Sequence, residues 1–202
     1  RPITAEPGSE FEPDVSPDGK YVVYVSSPPS DTRSLMIRPV VGGEARTLVV
    51  GGSGPQQVRS PVWSPDGTRI AFVRGQLMEA SFIVLVSALG GTERPLLTVH
   101  PYPRRRTLMI AHLLAWSPDG KYLVASNQET PGRSALVRIN VDTAERTPIT
   151  SPGNAQFDVE PTLSSDGRLL LFNRVRGEFL SDAYVQPLDA SLQPAGPARK
   201  LQ

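Results

Sequence analysis

An all-β array of four-stranded antiparallel meanders is the fold class this sequence predicts, and two observations predict it. The tetrapeptide Ser-Pro-Asp-Gly occurs at residues 16–19, 64–67 and 117–120, and Ser164-Ser165-Asp166-Gly167 differs from it at one place. The four serines are 48, 53 and 47 residues apart, close to the length of one blade of a β-propeller. The flanks of the turn repeat too, with a short apolar-ended stretch before it and a β-branched, aromatic or aliphatic run after it.

Each blade is read in the same order. Inner strands end at Pro13-Asp14-Val15, Pro61-Val62-Trp63, Leu114-Ala115-Trp116 and Pro161-Thr162-Leu163. Second strands follow the turn at 21–25, 69–73, 122–126 and 169–173, and third strands at 35–40, 83–88, 136–141 and 183–188. Fourth strands are 45–48, 93–97, 146–150 and 198–201, with Gly42-Gly43 and Gly90-Gly91 turning the chain before two of them. In the repeated turn Pro presets φ, Asp bonds neighbouring amides and Gly accepts positive φ. Four turn aspartates suggest metal ligands only superficially, because each sits in a separate blade. Pro39 and Pro187 fall inside third strands; a proline deletes a ladder bond, so those strands should end or bulge there. The one stretch rich in helix formers, 76–81, is short and lacks a 3.6-residue period.

Composition narrows the function classes. A net charge of +1 gives no global field for nucleic acid or acidic membranes. The absence of cysteine removes disulfides, thiolate nucleophiles and Cys-based zinc sites. The apolar runs, such as 82–86, are too short to span a bilayer, so no membrane insertion is expected. Pro and Gly, 21 and 17 residues, recur at regular positions and therefore read as turn punctuation rather than disorder.

On these residues the chain resembles the TolB-like, WD-repeat-like propeller family, whose blade pattern runs Pro-x-Trp-Ser-Pro-Asp-Gly and then an Ile-Ala-Phe-like strand. Residues 61–67 and Ile70-Ala71-Phe72 match it almost residue for residue. The closing segments 94–98 and 148–150 match as well. Blade 3 departs in having Leu114 for the Pro, and blade 4 lacks the aromatic and the second-position Pro. The resemblance covers nearly the whole chain and implies fold more than function. It implies an extracytoplasmic setting, as in periplasmic envelope proteins, or attachment to a larger bacterial regulator, with a protein partner or other domains of the parent chain to bind. Propellers of this kind also precede the hydrolase domain of prolyl-oligopeptidase-like peptidases.

The whole chain, 1–202, is read as one propeller region with blades at about 5–50, 51–99, 100–151 and 152–202. Arg1-Pro2-Ile3-Thr4 resembles the closing strand Thr147-Pro148-Ile149-Thr150 and is left over as an orphan closing strand. Four blades that do not close would leave two apolar faces bare. The expectation is thus part of a larger propeller, or one completed by self-association into a homo-oligomer.

Candidate sites are few. The nearest string to a Gly-x-Ser-x-Gly elbow, residues 51–55, fails at its last position. His100 and His112 have no metal-ligand spacing. No catalytic residue, metal or cofactor is expected, and the chain is expected not to be an enzyme. The leading parts of the inner strands line a propeller's channel. There Glu10, Glu12, Asp158 and Glu160 offer four carboxylates at one mouth, with Arg59 and His112 beside them. The functional reading is a cation or a basic partner group held there; the plainer one is solvated polar residues, and for His112 a buried or channel-lining side chain. The long loop between blades 2 and 3 carries Tyr102, Arg104, Arg105 and Arg106, which fit a phosphate or an acidic partner or simply a solvated loop. The resulting expectation is a binding or sensing propeller, with a propeller of a serine peptidase as the alternative.

Overall fold

The computed structural model describes residues 8–28, 32–76, 79–100, 112–130, 132–177 and 180–202, with backbone alone at 129 and 130. Sixteen strands and one short 3-10 turn, Gly54–Gln56, make up the regular structure of those residues. In chain order the strands are β1 (Ser9–Val15), β2 (Tyr21–Ser27), β3 (Ser34–Pro39), β4 (Arg46–Val49), β5 (Val58–Trp63), β6 (Arg69–Arg74), β7 (Ser81–Ser87) and β8 (Arg94–Val99). They continue as β9 (Leu114–Trp116), β10 (Tyr122–Thr130), β11 (Arg133–Asn140), β12 (Arg146–Pro148), β13 (Phe157–Leu163), β14 (Leu169–Val175), β15 (Ser181–Pro187) and β16 (Arg199–Lys200). Hydrogen bonding follows chain order within β1–β4, β5–β8, β9–β12 and β13–β16, all antiparallel; one parallel bridge, Ser134 to Phe157, joins the last two meanders. The expected orphan strand at 1–4 lies outside the described residues.

The turn between first and second strands is built alike in all four meanders. The glycine N–H of Gly19, Gly67, Gly120 and Gly167 donates to the carbonyl of the turn serine at 2.8–2.9 Å. The serine hydroxyl donates to the aspartate two residues on, at 2.7, 2.5, 2.6 and 2.6 Å. It also accepts the N–H of the first residue of the second strand, at 2.9 Å each time. The four glycines sit at φ +69 to +72, where a Cβ is penalised. Ser165 replaces the proline without changing any of these bonds, so the serine, aspartate and glycine carry the turn.

A second device was not foreseen. In β1, β5 and β13 the register slips between Phe11 and Asp14, between Arg59 and Val62, and between Val159 and Thr162. The skipped pairs are Glu12-Pro13, Ser60-Pro61 and Glu160-Pro161, and the residue before each proline has φ 53, 47 or 57. A proline has no N–H for the ladder and is housed in a bulge. The third meander has Leu114 in place of the proline, and the described part of β9 pairs with β10 without a slip. The other strand prolines behave as expected: β3 ends at Pro39 and β15 at Pro187.

The chain divides into two compact units, one of Arg1–Gln76 with Ser81–Thr98, the other of Leu77–Ala80 with Val99–Gln202. In the first, Val23, Val25, Leu35 and Ile37 pack against Trp63, Ile70, Phe72, Val84 and Val86. In the second, Val124, Leu136 and Ile149 pack with Leu170, Phe172, Leu188 and Leu192. Strand parity explains the selection: Leu170 and Phe172 of β14 are 0% and 3% exposed while Leu169 and Leu171 between them are 40% and 39% exposed.

Candidate functional site

The inner strands carry the side chains expected at a channel mouth, and the bulges decide where they go. Glu10 is half-buried in β1 and pairs across to Ser26. Glu12, at a bulge, is buried, and its carboxylate accepts the backbone N–H of Ser60 at 2.7 Å. Two residues on, Asp14 accepts the N–H of Trp63 at 2.7 Å. Arg59 is buried and donates to Gln57 at 2.6 Å. In the second unit Asp158 is fully buried and takes a two-pronged ion pair from Arg174 at 2.7 and 2.8 Å. Glu160 accepts a hydrogen bond from the Asn173 amide.

These contacts correct the reading of a solvated carboxylate ring. Glu12 and Asp158 are committed to backbone and guanidinium partners inside their own units, since an unpartnered buried charge would be costly. His112 is exposed rather than buried, and it lines a cavity of about 410 Å³ with Glu160, Thr162, Leu171 and Asn173. Of the six mouth residues, then, Glu12 and Arg59 gather around Ser60 in one unit, and His112 and Glu160 share a cavity in the other. Tyr102, Arg104, Arg105 and Arg106 lie outside the described residues. Among the described residues no three His, Asp or Glu side chains gather as a metal site requires.

A different site emerges at the turn end of the first unit. The turns 16–19 and 64–67 flank a cavity of about 370 Å³, walled also by Tyr21, Ile37, Arg46, Trp63, Ala88 and Leu89. Arg46 fixes the outer wall by donating to the carbonyls of Ala88 at 2.8 Å and Leu89 at 3.2 Å. Asp18 and Asp66 also line it. The Ser64 hydroxyl and then the Thr68 amide hold the Asp66 carboxyl down to about 2; Ser16 and Lys20 lower Asp18 in the same way. Both are therefore anionic at neutral pH. Trp63 is 7% exposed, and its indole Nε1–H is buried without a hydrogen-bond acceptor. Such an unmet donor costs on the order of 1–3 kcal/mol, and a buried Trp N–H ordinarily finds a partner. Sequence reading took Trp63 as the apolar end of a strand; the indole's need for an acceptor was the available signal.

Fold and comparison now agree. The chain has the fold of TolB-type β-propellers. It superposes on TolB from Acinetobacter baumannii with a TM-score of 0.76 at 16% identity, covering 99% of this chain and 45% of that one. A puromycin hydrolase gives 0.68 at 19% identity over 100% of this chain and 32% of that one. The β-propeller domain of the Trilobed protease from Pyrococcus furiosus gives 0.59 at 13% identity over 98% and 58%. No protein-family model matches the chain. Among curated proteins it is 29% identical over 131 residues to the "Uncharacterized peptidase YuxL" of Bacillus subtilis, covering 62% of this chain and 18% of that protein. It is 26% identical over 175 residues to dipeptidyl-peptidase 5 of Aspergillus fumigatus, covering 79% and 22%. The chain thus spans about a fifth of the length of the curated relatives it matches.

These names overturn the expectation that the chain is no enzyme. Both curated relatives are named peptidases, matched at a distance and over a part of their length. The missing nucleophile elbow speaks only for the 202 residues of this chain.

Proposed function

We propose that the chain is a ligand-binding β-propeller region, its four meanders being blades of a larger or oligomerically completed propeller. Its binding site, on this reading, is the cavity between the turns 16–19 and 64–67. The ligand is a short peptide segment whose basic side chain reaches Asp18 and Asp66. The two anionic turn carboxylates lining one cavity of about 370 Å³ carry this reading.

Calorimetric titration with the capped tripeptides Ala-Lys-Ala and Ala-Glu-Ala tests it. The lysine peptide should bind and the glutamate peptide should not. Asp66→Asn should weaken binding of the lysine peptide. Equal binding of both peptides, or binding indifferent to Asp66→Asn, refutes the site.

A second reading is favoured by the peptidase relatives: a propeller that admits peptides to the hydrolase domain of a prolyl-oligopeptidase-like parent. Hydrolysis of aminoacyl anilides by the full parent protein, blocked by a serine-directed phosphonate, would support it. An extracytoplasmic location follows from the TolB resemblance and is checked by cell fractionation.

A further inference from the structure

The first unit leaves open a place that the second unit fills with its own side chains. Aligned on the turn serines and strand registers, the cavity-wall residues Pro17, Tyr21, Ile37, Trp63 and Gly67 correspond to Pro118, Tyr122, Arg138, Leu163 and Gly167. The connection 88–93, which supplies Ala88 and Leu89 to the wall, corresponds to the longer connection 188–198. Both differences put a side chain where the first unit has space. Leu192, carried by the longer connection, is 3% exposed, and its Cδ2 lies 3.9 Å from where a Cβ on Gly167 would stand. It belongs to the core against which Tyr122 and Leu163 pack. Arg138, in the place of Ile37, holds its guanidinium 5.1 Å from the centre of the Tyr122 ring and donates to the Ser191 carbonyl. Tyr122 is half-buried, whereas its counterpart Tyr21 is 43% exposed.

This internal plug is a built feature. Leu192 has φ 58, a conformation that is uncommon for a residue other than glycine and persists where the surroundings fix it. Asp189 supplies that fixing: its carboxylate accepts the N–H groups of Ser191 at 2.8 Å and Gln193 at 2.9 Å, and its carbonyl accepts the N–H of Leu192 at 3.1 Å. The second unit thus seats an aliphatic side chain and a guanidinium next to one another, the first by apolar burial and the second by cation–π attraction. The first unit keeps the receiving parts, namely a proline ring, an open tyrosine and a glycine without a side chain. It has Ile37 and a short turn in place of the plug.

We propose that the first-unit cavity takes from a ligand what the second unit supplies to itself: a peptide in which an arginine and a leucine-sized aliphatic residue are adjacent. The guanidinium lies over Tyr21, in a cavity that Asp18 and Asp66 also line, and the aliphatic side chain fits beside Pro17 and Gly67. This rests on the reading of that cavity as the binding site and narrows its ligand from a basic peptide to an arginine–aliphatic pair. Arginine is favoured over lysine because a planar guanidinium stacks on an aromatic face.

Calorimetric titration of the full chain with capped tetrapeptides is the test. Ala-Arg-Leu-Ala or Ala-Leu-Arg-Ala should bind tighter than Ala-Arg-Ala-Ala by about tenfold or more, one 1.4 kcal/mol step. The better of the two should also bind about threefold tighter than its lysine counterpart, and Tyr21→Leu should erase that preference. A chain in which the turn 89–91 is replaced by the sequence of residues 189–193 carries its own leucine to the cavity; it should bind no peptide and melt no lower than the parent. Equal binding with and without the leucine, in both orders, overturns this inference and leaves the basic-peptide reading intact. Failure of every basic peptide to bind overturns both. Binding that survives the graft in a chain that melts like the parent also overturns the inference, and the peptide series on the parent chain needs no variant to fold.

Discussion

The two units hold neighbouring meanders together by different chemistry. In the first, carboxylates reach across: Glu12 and Asp14 of β1 accept the N–H groups of Ser60 and Trp63 in β5. In the second, the same two positions are Leu113 and Ala115, and no carboxylate can reach β13. Instead Ser126 donates to the Asp158 carbonyl at 2.9 Å, Ser134 donates its N–H to the Gln156 carbonyl at 3.3 Å, and a parallel bridge joins β11 to β13. Buried Asp158 is then neutralised from within its own meander by Arg174, whose guanidinium also lies over the Phe172 and Tyr184 rings at 5.5 and 4.7 Å. A common turn thus coexists with locally chosen adhesion. The turn is satisfied within one meander, whereas adhesion depends on what the neighbour presents.

The largest break should come in the second unit. Arg174→Ala strands the Asp158 carboxylate in the core, and loss of a buried ion partner costs about 3–5 kcal/mol; urea unfolding reads it directly. Glu12→Ala comes next. It leaves the Ser60 N–H, in a residue 1% exposed, without its acceptor, at about 1.5–3 kcal/mol, while Glu12→Gln, which keeps an oxygen, should lose less. The comparison can also be sharpened by transplanting the clasp. Ala115→Asp puts a carboxylate at Asp14's position and should gain about 1 kcal/mol if it captures the Leu163 N–H. No gain would mean that the bulge before Pro13 is needed to aim the reach.

The smallest effect should be the same in both units. Replacing a turn aspartate by Asn weakens only a local, solvent-screened bond set at these exposed sites. Its pH signature has a fixed sign. Asp66 is held at about 2, below its unfolded value near 3.9. Its contribution is therefore complete above pH ~4 and is lost as pH falls through about 2. Thermal melts of Asp66→Asn and the parent should converge at acid pH.

The turns were legible because the side chains that make them are contiguous in sequence. So were the ends of β3 and β15, because proline cannot donate. The bulges were legible in principle, since Pro13, Pro61 and Pro161 sit in inner strands, yet only Pro39 and Pro187 were read as interrupting a strand. Glu12 and Asp158 were placed at a mouth from their position at the start of inner strands, whereas each is buried against a partner, the Ser60 N–H and Arg174, that only packing brings to it. The cavity beside Trp63 was not legible at all, because its walls come from four strands and three turns whose juxtaposition only packing defines.

The turn's second position has a consequence beyond its own loop. The ring of Pro17 lies beside Gly67 of the next turn, 3.8 Å from where a Cβ would stand, and Pro118 lies likewise beside Gly167 at 3.3 Å. Gly167 is therefore constrained twice, once by its own backbone and once by the Pro118 ring, whereas a side chain at Gly67 would meet Pro17 only at ordinary contact distance. Within each unit the second turn lies on the first like an overlapping roof tile, and in the second unit a change at the glycine is felt in the tile laid before it. Ser165 offers a hydroxyl where Pro17 and Pro118 offer a ring, so the fourth tile presents a wettable edge.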